Sequence, residues 1–325
     1  MLRPILHSLI ITGSLSLSVF AFADGPLLSL SVSQSGGASQ NDDGSIDATR
    51  PSESQSRILP IWGDDARARG YDIPEPFGIG YNYMNLHQDI VVDKIGFISP
   101  RIPGLEDIID VDAGHTREKS ETHMLKLDSW IFPFMNVYGL YGKTKGSSNA
   151  AINSIKLGGQ DAGYDPMDFK LDFEGKTYGA GVTLAGGYEQ FFGTVDFNYT
   201  KTNLDILDGD IKALVISPRV GYEFIFSPLI SGQGNTKLQV WTGAMYQDIT
   251  QRFKGDISGL NLPPDFQELV GMFDPDMKFD VEQHLAHKWS NLVGARLEVT
   301  RNFNIISEVG FNNRNSFFIS GEFRF

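Results

Sequence analysis

Three groups of residues have types and spacings that could do chemistry. Asp110-Val111-Asp112 with His115 just beyond sets two carboxylates and an imidazole close together, a set able to activate water by general base catalysis. His284-x-x-His287 is a spacing at which two imidazoles can share a metal, although no third ligand is evident beside them. Asp161, Asp165, Asp168 and Asp172 crowd one stretch and offer oxygens to Ca²⁺, but without the loop spacing of an EF-hand.

Each group also has a plainer reading. Acidic residues in loops are ordinarily solvated, and His87, His115, His123, His284 and His287 have no Ser pattern beside them that would make a nucleophile. The chain has no Cys, which removes thiolate nucleophiles, disulfide frameworks and Cys-based metal sites. Its net charge of −13 argues against nucleic acid, which needs a basic footprint. No catalytic residue, metal ligand or cofactor-binding residue is assigned, no cofactor is expected, and the chain reads as non-enzymatic.

The elements that would position any of these groups are strands. Side chains alternate across a strand, and from Phe77 onward ten segments alternate apolar with small or polar residues: about 77–92, 119–132, 134–146, 171–187, 190–203, 210–225, 236–251, 287–300, 302–312 and 316–325. In the second, Leu125, Leu127 and Ile131 oppose Lys126 and Asp128; in the fourth, Tyr178, Ala180, Val182 and Leu184 oppose Thr177, Gly179, Gly181 and Thr183. Short links around Pro133, Gly187-Glu189 and Thr300-Asn302 alternate with long polar ones, about 93–118, 147–170 and 252–286.

The tenth segment, S-F-F-I-S-G-E-F-R-F, is the sharpest. Phe317, Ile319, Gly321, Phe323 and Phe325 share one face; Phe318, Ser320, Glu322 and Arg324 share the other. It resembles the closing strand of a bacterial outer-membrane β-barrel, with lipid outside and polar filling inside. The resemblance covers about 77–325 at class level. It implies a closed antiparallel transmembrane β-barrel of about ten strands, with eight or twelve needing one mistaken merge or split. Short turns would face the periplasm and long loops the exterior. Phe323 and Phe325 would be the signal read by the assembly machinery. Closure follows from the solvent: in hydrocarbon each unpaired backbone group costs several kcal/mol, so an open sheet edge cannot persist. A soluble β-sandwich is the competing architecture. Against it, Tyr188, Phe191, Phe224, Phe303, Phe311 and Phe325 sit near strand ends, as a membrane girdle would. The 35 Gly, 23 Phe and 11 Tyr suit such a wall.

Residues 1–23 read as a secretory signal: Arg3, an apolar run, then Ala21-Phe22-Ala23, with cleavage between Ala23 and Asp24. Residues 24–76 read as a disordered arm. Its end, 57–76, sets Ile58, Leu59, Ile61 and Trp62 beside clustered charges, as a surface-lying lead-in or a plug at the periplasmic mouth. In the loop at 256–282, Pro264, Phe266, Leu269 and Val270 suggest a short amphipathic helix that caps the outer mouth.

With this phase the lumen-facing charges are Lys126, Asp128, Asp196, Arg219, Glu223, Arg296, Glu298, Glu308, Glu322 and Arg324. Isolated buried charges are costly, so they should pair across strands. An ion-paired filling, a narrow water channel and a ligand-holding lumen all remain open at this point. Omptin surface proteases, which place acidic pairs and an Asp-His pair on a barrel rim, invite comparison with Asp110, Asp112 and His115. The second half of that pattern is missing, because neither His284 nor His287 has an Asp two residues before it. The functions considered are a surface protein acting through its loops, a narrow pore, and a rim hydrolase. The partners expected are outer-membrane lipid, lipopolysaccharide and the barrel assembly machinery, for a monomer in the outer membrane.

Overall fold

The computed structural model describes residues 39–40, 46–47, 58–68, 71, 73–163, 166–205, 208–231, 234–257, 274 and 276–325. The signal segment with Ala23 and Asp24, most of the arm, and the helix expected around Pro264 lie outside them.

The fold is a closed antiparallel β-barrel. Its strands are β1 (Phe77–Ile98), β2 (Ile109–Phe132), β3 (Met135–Leu157), β4 (Met167–Tyr188), β5 (Phe191–Leu204), β6 (Asp208–Phe226), β7 (Thr236–Asp256), β8 (Lys278–Leu285), β9 (Trp289–Thr300), β10 (Phe303–Phe311) and β11 (Arg314–Arg324). β8 and β9 are two halves of one strand, since both pair with β7, at Thr250↔His284 and Tyr246↔Trp289. Counted so, ten strands form the ring, and β11 closes it on β1 from Arg314↔Gln88 to Arg324↔Gly78. Beyond the short β10–β11 hairpin, β8 pairs directly with β1 from Leu285↔Ile90 to Lys278↔Ile98. The ring therefore steps inward, and β1 to β8 carry the wall onward.

Strand length divides the wall into two zones. A tilted strand crosses hydrocarbon in about 9–11 residues, whereas β1, β2, β3 and β4 have 22, 24, 23 and 22. Around the end carrying both chain connections, outward residues are apolar and exposed: Leu125 and Leu127 on β2, Tyr178 and Leu184 on β4, Val240 on β7. Their inward neighbours Lys126, Asp128, Thr177, Lys237 and Gln239 are buried or partly so.

Further along the same strands the polarity reverses. On β4, Asp168, Lys170 and Asp172 point out while Phe169, Leu171 and Phe173 are buried within. On β7, Arg252 is exposed while Ile249 and Phe253 are buried. The inward set, with Ile90, Phe97, Ile152, Phe279 and Val281, forms one apolar core filling the outer end of the barrel. The alternation keeps its period of two, and only its sign changes along the strands.

That reversal corrects the loop assignment. Among the described residues the links 93–118, 147–170 and 252–286 are largely wall, with 93–98, 109–118, 147–157, 167–170, 252–256 and 278–285 in strands and a loop at 99–108. A strand charged on its outer face and apolar within has the composition of a loop when only the opposite sign is sought. Asp110, Asp112 and His115 consequently lie on β2 rather than in a loop.

Candidate functional site in the lumen

The lumen between the two zones is a cavity of about 350 Å³, lined among others by Lys126, Tyr138, Asp196, Arg219, Glu308 and Glu322. It has three layers. At the chain-connection end, Arg324 Nη2 reaches Asp128 Oδ1 at 2.7 Å and Lys126 Nζ reaches Glu322 Oε1 at 2.8 Å, with Lys126 also 3.8 Å from Asp128 Oδ2. These side chains come from β2 and β11, which sit on either side of β1. Gly78 of β1 makes room for them, because a Cβ there would fall 2.4 Å from Asp128 Oδ2 and 2.9 Å from Arg324 Nη1.

In the middle, Arg219 holds Glu308 through two parallel bonds, Nε to Oε2 at 2.7 Å and Nη2 to Oε1 at 3.1 Å. Trp241 Nε1 donates to the same Glu308 Oε2 at 2.9 Å. The Tyr138 hydroxyl donates to the Asp196 carboxylate, 2.9 and 2.8 Å from its two oxygens, and Thr183 Oγ1 adds a third bond at 2.7 Å. Glu223 accepts from Gln239 Nε2 at 2.6 Å, Lys237 lies 3.6 Å from Glu298, and Arg296 lines the cavity with Glu322. Forked Arg–carboxylate pairing of this kind fixes geometry as well as charge.

The third layer, nearest the apolar core, is amide-rich. Arg314 Nε donates to Gln88 Oε1 at 2.8 Å, Gln88 Nε2 donates to Glu118 Oε2 at 3.3 Å, and Gln251 Nε2 donates to the same oxygen at 2.8 Å. Arg314, Gln88 and Glu118 are buried, so this chain of bonds satisfies two charged groups, Arg314 on β11 and Glu118 on β2, through the amides of β1 and β7. Sequence reasoning missed these residues along with Tyr138 and Trp241. Glu118 fell in a stretch read as loop, and spacing along the chain does not show which strands become neighbours.

Both ends of the cavity are covered. At one end the segment before β1 folds back on the mouth. Ile61 N donates to Ile131 O at 2.8 Å, Trp62 packs on Phe132 with ring centroids 4.9 Å apart, and a short helix α1 (Gly63–Ala68) follows. Ala66, Tyr71 and Ile73 bury one another, Arg301 Nε lies 3.0 Å from Glu75 Oε1, and Arg324 Nε donates to Glu75 O at 3.0 Å. Phe325 exchanges backbone bonds with Phe77 at 3.1 and 2.9 Å, and Phe323 faces outward. At the other end stands the apolar core, with Phe173 and Phe253 at 5.4 Å between ring centroids.

A clamp holds two outer loops over that core. Asp274, buried, accepts from Ser99 Oγ at 2.6 Å, Asp276 N at 3.0 Å and Arg101 N at 3.2 Å. The bond from Ser99, helped by the two backbone N–H groups and the Arg101 guanidinium, holds the Asp274 carboxyl below the usual carboxylate range against the opposing effect of burial. On the outer wall, bonds from Arg252 and then Lys254 lower Asp280 in the same way.

The groups that suggested chemistry in the sequence do not converge. His115 Nε2 lies 3.3 Å from Asp89 Oδ1, and His284 Nδ1 lies 2.7 Å from Asp93 Oδ2, two contacts the sequence did not reveal. Asp168 and Asp172 are on β4, Asp161 pairs with Lys156 of β3 in a two-residue strand, and Asp165 lies outside the described residues. Among the described residues no group of three or more His, Asp or Glu is placed to hold a metal ion.

No family model and no curated protein matches the chain. Among solved structures it overlaps the transport unit of the autotransporter AIDA-I from Escherichia coli, at 7% identity and TM-score 0.31, over 77% of this chain and 90% of that one. It also overlaps OccAB4 of Acinetobacter baumannii, at 7% identity and TM-score 0.13, over 77% of this chain and 98% of that one. Overlaps this loose carry no argument about fold or function; the barrel rests on its own hydrogen bonding.

Proposed function

We propose that this chain is a closed, non-enzymatic outer-membrane barrel that carries its loops well clear of the lipid and acts through them on a partner. The exposed apolar band is the membrane zone in this reading, and the charged outer zone stands in water beyond it. One observation carries the non-conducting part: the packed core around Phe97, Phe173, Phe253 and Phe279 lies across the lumen. An aqueous path would have to break it, exposing several large apolar side chains worth about 1.5–3 kcal/mol each. Export by residues 1–23, and a plug role for 57–76, belong to the same proposal.

The test is planar-bilayer recording of the refolded protein, with and without residues 24–76. Silence in both is expected, because removing the mouth segment leaves the apolar core in place. Stable single-channel steps in either would replace this reading with a narrow pore. That second reading draws on the charged cavity of about 350 Å³.

A further inference from the structure

Between β2 and β6 the outer wall combines a groove with a concentration of positive charge. The groove, about 760 Å³, runs through the apolar band and is lined by Leu127, Val137, Gly139, Ala180, Val182 and Phe197. Gly139 keeps it deep, since a Cβ at that position would meet nothing within 4 Å. Tyr141 and Tyr178, directly opposite each other and both exposed, mark its outer end.

One step further out, Lys143 stands directly opposite Lys176, and diagonally from them Lys201, itself opposite Tyr178, stands opposite Lys212. All four project from the outer face, with Lys145 next to them on β3. Like charges directly opposite across strands are destabilising, so two such pairs on neighbouring strands call for anions. The chain supplies three: Glu174 for Lys143 and Lys145 at 4.0 and 3.1 Å, Asp210 for Lys201 and Lys212 at 2.9 and 3.4 Å, and Glu121 directly opposite Lys145 on β2. Five ammonium groups thus face three carboxylates, an excess of positive charge in a chain whose net charge is −13. Across the barrel the same level is balanced: beyond Tyr246 and Trp289, Asp248 meets Lys288 at 2.9 Å.

We propose that this face docks a phosphorylated acyl lipid of the surrounding membrane, its phosphate on Lys143, Lys176, Lys201 and Lys212 and an acyl chain in the groove below. Charge complementarity selects the headgroup, and the apolar groove running down from the lysines selects a lipid over a free anion. Basic clusters beside a bilayer attract anionic headgroups with an energy that grows with each Lys. The proposal rests on the membrane reading above.

The full chain is folded into phosphatidylcholine bilayers, with or without lipid A (a diphosphorylated, acylated disaccharide) as probe. Heat-modifiable electrophoretic migration reports insertion; its loss in phosphatidylcholine alone would defeat the membrane reading itself. Native mass spectrometry of the released protein then reads bound lipid A. The wild type should retain it, and K143Q/K176Q/K201Q/K212Q should lose it by a factor on the order of ten or more. Gly139→Trp, which fills the groove, should lose it too, while K254Q/K278Q should retain it. Equal retention by the four-lysine variant, equal loss in the K254Q/K278Q control, or displacement of lipid A by inorganic phosphate would each overturn the site. If the four-lysine variant fails to fold, Gly139→Trp decides alone.

Discussion

The two zones of the barrel obey one packing rule under opposite boundary conditions. In the banded zone Leu127 is 62% exposed while its neighbour Asp128 is buried against Arg324; in the outer zone Arg252 is exposed while its neighbour Phe253 is 0% exposed. Each zone hides what its exterior would reject. On the membrane reading proposed above, hydrocarbon outside leaves polar groups to fill the interior, where they must satisfy one another, and water outside lets apolar groups do the filling. The amide layer of Gln88, Gln251 and Arg314 sits where one regime gives way to the other.

Breaking the interior of either zone should produce the largest effects, by different mechanisms. Phe253→Ala should cost about 3–5 kcal/mol, as for large core side chains cut to Ala. Because Phe253 belongs to the outer core, the loss should appear as protease cleavage of the outer zone while heat-modifiable migration persists. Arg324→Met should cost somewhat less, about 3 kcal/mol, by leaving buried Asp128 with only the Asn136 amide and the more distant Lys126. The double variant Arg324→Met/Asp128→Leu should recover most of that loss, since a well-packed apolar pair can replace a buried ion pair. Urea titration of the folded barrel in detergent measures both. A double variant no better than the single would mean that the pair is needed for more than charge balance.

The exteriors differ just as sharply, and here the expected effects are smaller. Val220→Arg places a charge in the middle of the exposed band and should cost about 2–4 kcal/mol in a bilayer, the figure for a cation at the midplane of a barrel wall. Lys254→Leu on the outer zone should stay within about 0.5 kcal/mol, as surface changes away from special features do. Lys254 shares Asp280 with Arg252, so its loss leaves that carboxylate partnered. Equal costs for the two changes would remove the distinction between band and outer zone.

The same contrast explains what could be seen in the sequence. Ten strands were legible because, in the band, an apolar exterior and a polar filling write a period of two directly into the residues. The outer halves of β1 to β4 and β7 to β8 were not, since their charged faces read as loop. For the lumen, composition identifies groups that need partners but not the partners themselves. Lys126 meets Glu322 across 196 residues of chain, and Arg219 meets Glu308 across 89. Such meetings depend on which strand closes on which, and no spacing along the chain carries that. Trp241 and Tyr138 illustrate the point further: each looks like an aromatic wall residue, yet each bonds a carboxylate that lines the lumen.

The clamp at Asp274 gives the mildest and most local test of the outer zone, because it can be released by pH without touching the band. Its folded carboxyl titrates below the ordinary value, chiefly through the bond from Ser99. A group lowered in this way stabilises the folded form above its unfolded pKa of about 3.9. The contribution fades as pH falls below that value and is gone once pH passes beneath the folded pKa. Loop 99–108 should therefore be protected at pH 5 and open progressively below about pH 4, read by pepsin cleavage at several acid pH values. In Asp274→Asn the carboxylate is absent throughout, so cleavage should lose this pH dependence once pepsin's own profile is divided out with a denatured control. Loop opening that keeps its acid dependence in Asp274→Asn would assign the transition to another carboxylate, with Asp280 of the outer wall the first to substitute.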